Sequence, residues 1–387
     1  MLAICSDLDE TPDQHVYFDT MRYLNTTRGT SMGRGIGLEV GNSIYFDMPP
    51  GQFSYWNTDD EGRAMIRNLI QSGHIDCLHS FGDLATTRKH AERALDELSR
   101  NNCALDVWVD HATAPTNFGR DIMQGHGDIE EAEAYHADLS TEYGIRYVWL
   151  GRVTSVIGQD VQRRLSGIWN RKHPIISTGT LLKEYAKGLL AYWGNRKYAM
   201  HGSNQVMREV QLRSGQRVCE FMRSSPHWGG VSYSDGADGL AEVLTEDVLS
   251  RLVEHGGVCI LYTHLGKFGG REPFSGAVKN ALRLLASYST DKILVTTTSR
   301  LLNYCRVTRD LQLSASVQGE HLAIELLTKE NEENLAGLTI YTPDPEKTHV
   351  TINGCEIANL QHNAPDQNGQ PTVSLPWPRL AFPASLH

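Results

Sequence analysis

From its first residues to about position 300 the chain repeats one pattern: a short apolar run, a stretch with helical spacing, another apolar run. The runs fall at 2–5, 43–46, 75–78, 104–109, 145–150, 217–222, 258–262 and 293–296. Between them Ala64, Met65, Leu69 and Ile70 mark one helical face, and Ala91, Ala94, Leu95 and Leu98 a second. Leu240, Val243, Leu244, Val248, Leu252 and Val253 mark a third, and Val278, Ala281, Leu282 and Leu285 a fourth. Apolar strands alternating with amphipathic helices read as parallel βαβ units, because a parallel strand is covered on both faces and its return connection must cross over. The expected fold is α/β, an irregular or incomplete (β/α) barrel with a small C-terminal antiparallel β domain.

The pattern is interrupted twice. Residues 160–216 read as an insertion between two core strands, with a helix around 180–192. After about 309 the spacing becomes alternating, as in Leu311, Leu313, Ala315 and Val317, and Asn353-Gly354 between two short β runs is a hairpin signal. The expected division is therefore 1–308, barrel-like, and 309–387, a β-sandwich-like accessory domain.

Composition narrows the function classes. The formal net charge is −10 over 387 residues, and no basic run exceeds a few residues. Nucleic acid and an anionic membrane surface, which attract clustered Lys and Arg, are not the expected partners. The start, MLAICSDLDE, lacks the features of a signal peptide, and no apolar window has the length of a membrane span. The seven cysteines are odd in number, scattered and without a CxxC. Together these point to a reducing, cytoplasmic setting.

In parallel β/α folds catalytic groups gather just past the C-terminal ends of the strands. Here the first strand runs into Asp7-Leu8-Asp9, the third into His79-Ser80-Phe81-Gly82-Asp83, the fourth into Asp110-His111 and the seventh into Thr263-His264. Any one of these has a bland explanation, as a turn former, a helix cap or a half-buried histidine. Four on one end of one fold are harder to explain that way. His79 and Asp83 are four residues apart, so a helical turn starting there would put them on one face, as metal ligands need. Asp9 would add a third ligand from the neighbouring strand. One imidazole and two carboxylates suit one divalent metal ion: Zn²⁺ first, with Mn²⁺, Co²⁺ or Ni²⁺ as alternatives. The competing explanation is that Asp83 caps the following helix and His79 hydrogen-bonds to it.

The order Asp7-x-Asp9, then Gly73-His74-x4-His79-Ser80-x2-Asp83, then Ile260-Leu261-Tyr262-Thr263-His264 resembles the polysaccharide deacetylases of carbohydrate esterase family 4, with their NodB homology domain. The resemblance covers about residues 1–305. It implies a metal-dependent hydrolase that removes an acyl group, N-acetyl in the first instance, from a sugar or glycan intermediate of surface polysaccharide biosynthesis. Asp7 would be the catalytic base, Asp9, His79 and Asp83 the metal ligands, and His264 the general acid. The family's arginine-bearing segment after the fourth strand is replaced by Val109-Asp110-His111-Ala112-Thr113. His111 is thereby a candidate ligand or substrate contact. Arg223 is a candidate for the missing arginine, with a surface arginine as its alternative. Trp228, in Pro226-His227-Trp228-Gly229-Gly230, is a candidate to stack on a sugar ring. Two further readings stay open: a sugar-binding homologue without catalysis, and a metal-dependent hydrolase of another C–N bond. Oligomeric state is not legible.

Overall fold

Dense apolar sequence becomes strand here because both faces of each strand are covered. In the computed structural model, which describes residues 1–7, 11–231, 236–267, 272–330, 332–357, 359–366 and 369–384, the first five strands of the two large sheets in chain order are buried at every residue. These are β1 (Leu2–Ser6), β2 (Ser43–Ile44), β3 (Cys77–His79), β4 (Val107–Val109) and β5 (Tyr147–Trp149). They are followed by β6 (Val153–Thr154), β7 (Met207–Gln211), β8 (Arg217–Phe221), β9 (Arg223–Ser224), β10 (Cys259–Thr263) and β11 (Val295–Thr296).

These strands pair into two sheets. One has the order β11-β1-β10-β9-β6 and is parallel throughout. The other has the order β2-β3-β4-β5-β8-β7, parallel except for the β7–β8 pair. The chain passes between the sheets at two short bends: Met222 alone separates β8 from β9, and residues 150–152 separate β5 from β6. Among the described residues β2 and β1 are not paired, so the ladders do not close into a ring. The fold is mixed α/β with parallel sheets.

Register matters most for the site. β1 pairs with β10 so that Ser6 lies opposite Thr263, which sets the next residues, Asp7 and His264, side by side. β2 pairs with β3 as Ile44 opposite Leu78, which brings Tyr45 level with His79.

The helices cover these sheets with the faces their spacing predicts. α1 (Gln14–Asn25) precedes α2 (Asp60–Gln71), which buries Met65, Ile66, Leu69 and Ile70. α3 (Arg88–Arg100) buries Ala91, Ala94, Leu95 and Leu98. α4 (Ala137–Tyr143) leads into β5. The insertion carries α5 (Pro174–Tyr192) and α6 (Ala199–Ser203). The third predicted face divides into α7 (Leu240–Val243) and α8 (Glu246–His255). Thr245 causes the break: it is extended, its hydroxyl accepts from the Val248 amide, and Glu246 and Asp247 then complement the new helix N-terminus. α9 (Gly276–Tyr288) buries Val278, Ala281, Leu282 and Leu285, and α10 (Thr298–Asp310) follows β11. Among the described residues no helix is long and apolar enough to cross a membrane.

Contacts divide the chain into two units: Met1–Ser299 together with the tail from Leu380, and Arg300–Arg379. The second holds β12 (Gln312–Gln318), β13 (His321–Leu327), β14 (Thr339–Tyr341), β15 (Thr348–Ile352), β16 (Cys355–Glu356), β17 (Gln361–Asn363) and β18 (Thr372–Ser374). It is not wholly antiparallel, because β13 and β15 pair in parallel. Asn353 and Gly354, with φ of 48° and 81°, make the tight turn between β15 and β16 that two positive-φ residues favour. In the first unit, the Leu380 amide donates to Glu39 Oε2 at 2.9 Å.

Candidate active site

Four residues that the sequence singles out meet in one buried cluster at the C-terminal ends of the strands. Asp7 follows β1, His79 ends β3, His264 follows β10, and Arg223 opens β9 at the bend between the sheets. The Arg223 guanidinium grips the Asp7 carboxylate, donating from Nη1 to Oδ2 at 3.0 Å and from Nη2 to Oδ1 at 3.5 Å. On its other side the carboxylate faces two imidazoles. His79 Nδ1 is 3.4 Å from Oδ1, and His264 Nε2 is 3.7 Å from Oδ2. Ser43 bridges, with its hydroxyl donating to Asp7 Oδ1 at 3.4 Å and lying 3.2 Å from His79 Nδ1.

All three of Asp7, Arg223 and His79 are fully buried, so their charge states are set by one another. Burial alone would raise Asp7, but the Arg223 guanidinium holds its carboxyl well below the usual carboxylate range. Burial alone would lower Arg223, and Asp7 keeps it firmly charged. His79 is pushed well down, first by burial and then by His111, Arg223 and His264, with Asp7 opposing; it is neutral near pH 7. The contact between His79 and Asp7 is therefore no ion pair. The cluster amounts to one buried ion pair, Asp7 with Arg223, flanked by the His79 and His264 imidazoles.

Aromatic rings wall this cluster. Arg223 lies 4.1 Å from the Trp149 ring centroid and 5.2 Å from that of Tyr262, which stacks on Trp149. The Tyr262 hydroxyl is 3.4 Å from His264 Nε2. Tyr45 stacks on His79 with ring centroids 4.4 Å apart, and its hydroxyl is 3.4 Å from His79 Nε2. Trp149 and Tyr262 also line a 440 Å³ pocket, together with Met123, Tyr198 and His201. Buried His201 approaches the Val153 carbonyl with Nε2 at 3.1 Å, while its Nδ1 has no partner. Burial lowers its pKa to about 4, so it is neutral near pH 7.

Asp83 departs from expectation. No helical turn joins His79 to Asp83. Ser80 and Gly82 have φ of 42° and 101°, the chain runs as turns, and α3 starts only at Arg88, capped by Thr87 with His90. Asp83 consequently neither shares a helical face with His79 nor caps the helix. It accepts from His111 Nδ1 at 2.9 Å, a bond that lowers its pKa. His111 packs edge-on against His79 and Tyr45, with centroids 5.0 and 5.1 Å away. Asp9 lies outside the described residues. Trp228 has one indole face covered by His173, 3.9 Å away and parallel. His264, which the distance in sequence suggests would act from across the site, stands beside Asp7 because β1 and β10 are adjacent.

Metal binding has its own test in the donor set. Among the described residues no group of three His, Cys, Asp or Glu side chains is arranged to hold a metal ion. His79 and His111 are neighbours, but Asp83 meets His111 rather than a common centre, so the described donors alone do not fit a metal. Two residues escaped the sequence reading, Ser43 and Tyr45. Tyr45 follows β2 as Asp7 follows β1, and the same positional rule would have found it. Strain marks this end of the fold: Ser80 and Ala112, just past β3 and β4, are non-glycine residues at φ of 42° and 41°.

Comparison of the chain with protein-family models, with curated proteins and with solved structures finds no match.

Proposed function

We propose that the chain is a hydrolase that removes an acyl group, N-acetyl in the first instance, from a sugar or glycan intermediate. The observation that carries this reading is the Asp7 carboxylate, buried, ionised by Arg223 and next to His264. A base must be charged at working pH and close to a group that can return the proton, and this pair meets both needs. Water attacks the acyl carbonyl while Asp7 takes its proton. The C–N bond breaks as His264 protonates the leaving nitrogen, giving a carboxylic acid and an amine. Arg223 keeps Asp7 ionised and fixes its orientation; it supplies the arginine that the deacetylase resemblance implies from another strand. Tyr262, half-buried in the wall of the pocket, is the aromatic ring a sugar would meet there.

The divalent metal that the resemblance implies, Zn²⁺ first, stays in the proposal through His79 and Asp9. His111 takes the place given to Asp83. With His111 Nδ1 bonded to Asp83, a neutral ring carries its lone pair on Nε2, the arrangement in which a carboxylate orients a ligating histidine. The incomplete donor set favours one second reading, a sugar-binding protein on the same scaffold without turnover.

The test is acetate release by the purified full chain from an N-acetylglucosamine oligomer, an O-acetyl sugar and a cyclic amide, with metal content measured alongside. The proposal expects release from the acetyl sugars and a metal that falls in His79→Ala. Binding of the oligomer without release supports the second reading. Turnover of the cyclic amide alone contradicts the sugar assignment.

A further inference from the structure

α5 is turned inside out. Its buried residues are Ser177, Thr180 and Glu184. Its apolar stripe faces outward: Ile175 is 87% exposed, Leu182 61%, Tyr192 86% and Trp193 72%, with Tyr185 and Leu189 also exposed between them. The spacing of 175, 182, 185, 189 and 192 is that of one helical face. An ordinary surface helix buries such a stripe. Here the polar face is the anchored one: Glu184 accepts from the Thr154 hydroxyl at 3.0 Å, the Ser155 amide at 3.2 Å and Lys187 Nζ at 2.6 Å. The orientation is thus fixed by buried hydrogen bonds, and the apolar face is held out deliberately. An exposed apolar patch of this kind on an otherwise ordinary surface marks a contact site.

Charge identifies what covers it. Between residues 160 and 198 the chain carries eight lysines and arginines against two acids, in a protein whose net charge is −10. Arg164, Arg171, Lys172, Lys183 and Arg196 are exposed. Arg171 and Lys172 stand just before the N-terminus of α5, where the helix dipole disfavours positive charge, and no acid occupies the first turn. Self-association through this face would bring two like-charged surfaces together. A helix with Leu, Ile, Tyr and Trp along one face and Lys and Arg around it suits the boundary of an anionic lipid bilayer, where rings and aliphatic chains enter the interface and cations meet the headgroups. At 19 residues it is about 28 Å long, enough to lie along such a surface and too polar on its other face to cross it.

We propose that the exposed face of α5, centred on Leu182, Tyr185, Leu189, Tyr192 and Trp193, docks the protein peripherally on anionic membranes. This goes beyond the hydrolase reading and does not depend on it, and it revises the expectation drawn from the net charge of −10 that an anionic membrane surface is not a partner, because the cations are concentrated locally around this insertion. Lys187, on the anchored face of α5, bonds to Glu184 and the Val153 carbonyl and lines the pocket beside Trp149 and Tyr262.

The experiment is flotation of the full chain with phosphatidylcholine vesicles, with and without phosphatidylglycerol, read together with tryptophan emission. Floating with the anionic vesicles, a blue shift on binding and weakening by salt are expected. Leu182→Glu and Trp193→Glu, at exposed positions that leave the fold intact by circular dichroism, should each weaken binding by about tenfold or more. Three results overturn the proposal: no flotation with anionic vesicles, flotation unchanged in both variants, or a dimer in solution that Leu182→Glu dissociates, which would give the face to a second copy. A change in hydrolysis rate plays no part in this readout.

Discussion

Asp7 and Asp110 occupy the same kind of place and end in opposite states. Each is the residue after a parallel strand, β1 or β4, and each is fully buried. Asp7 has a guanidinium against it and is held well below the usual carboxylate range. Asp110 has none. It accepts from Trp108 Nε1 at 2.8 Å and the Phe118 amide at 2.9 Å, its Oδ2 has no partner, and burial raises its pKa to about 7. Position at a strand end therefore marks where a carboxylate can do chemistry, while the neighbouring cation decides whether it is charged to do so. Asp110 reads as a tie between β4 and the segment at Phe118; Asp7 reads as a base.

Removing the cation should erase the difference. Arg223→Met leaves Asp7 buried and uncompensated, a change that typically costs about 3–5 kcal/mol. Unfolding in denaturant should show a loss of that order, and what folds should lose turnover with it. A stability within about 1 kcal/mol of wild type would mean the pair is not the buried ion pair described.

His264→Ala tests the other side of the carboxylate. Acid catalysis typically contributes about 10²–10⁴-fold, so N-acetyl hydrolysis should fall in that range. An activated O-acetyl ester, whose leaving group needs no proton, should suffer less. Equal losses on both substrates would make His264 a structural partner of Asp7.

The strands were legible because buried parallel strands are runs of apolar residues, and all eight runs contain one. The strand-end rule also led to Asp7, His79 and His264, and the family resemblance to Arg223. What escaped has physical reasons. Strands of two residues, such as β6 and β9, carry no period, so the bends that bring Arg223 to Asp7 leave no signal. The His79–Asp83 spacing implied a helix, but positive φ at Ser80 and Gly82 broke it. Periodicity finds the stripe of α5 without saying which way it faces, and only the buried anchors of Glu184 show that it faces out. Alternation at Leu313, Ala315 and Val317 reads as a half-buried strand, yet β12 is exposed at every residue.

A smaller effect separates the two aspartates by pH. Asp110 has a folded pKa raised to about 7 from 3.8, so between those values the folded state holds a proton that the unfolded state has released. Its contribution to stability is present below the unfolded value and is lost as pH rises through that window. Asp110→Asn, which keeps the shape and cannot titrate, should flatten that part of the stability profile. A slope unchanged in the variant would show that Asp110 is ionised in the folded protein.

The most direct measurement puts the same substitution at both places and compares acetate release from an N-acetylglucosamine oligomer. Asp7→Asn should fall by about 10²–10⁴-fold, and Asp110→Asn, with the same side chain exchanged at a carboxyl that burial lifts to about 7, should stay within about threefold of wild type. Similar rates in the two variants would contradict the account: a shared large loss would make strand-end burial rather than charge the requirement, and near wild-type release by Asp7→Asn would remove it as the base.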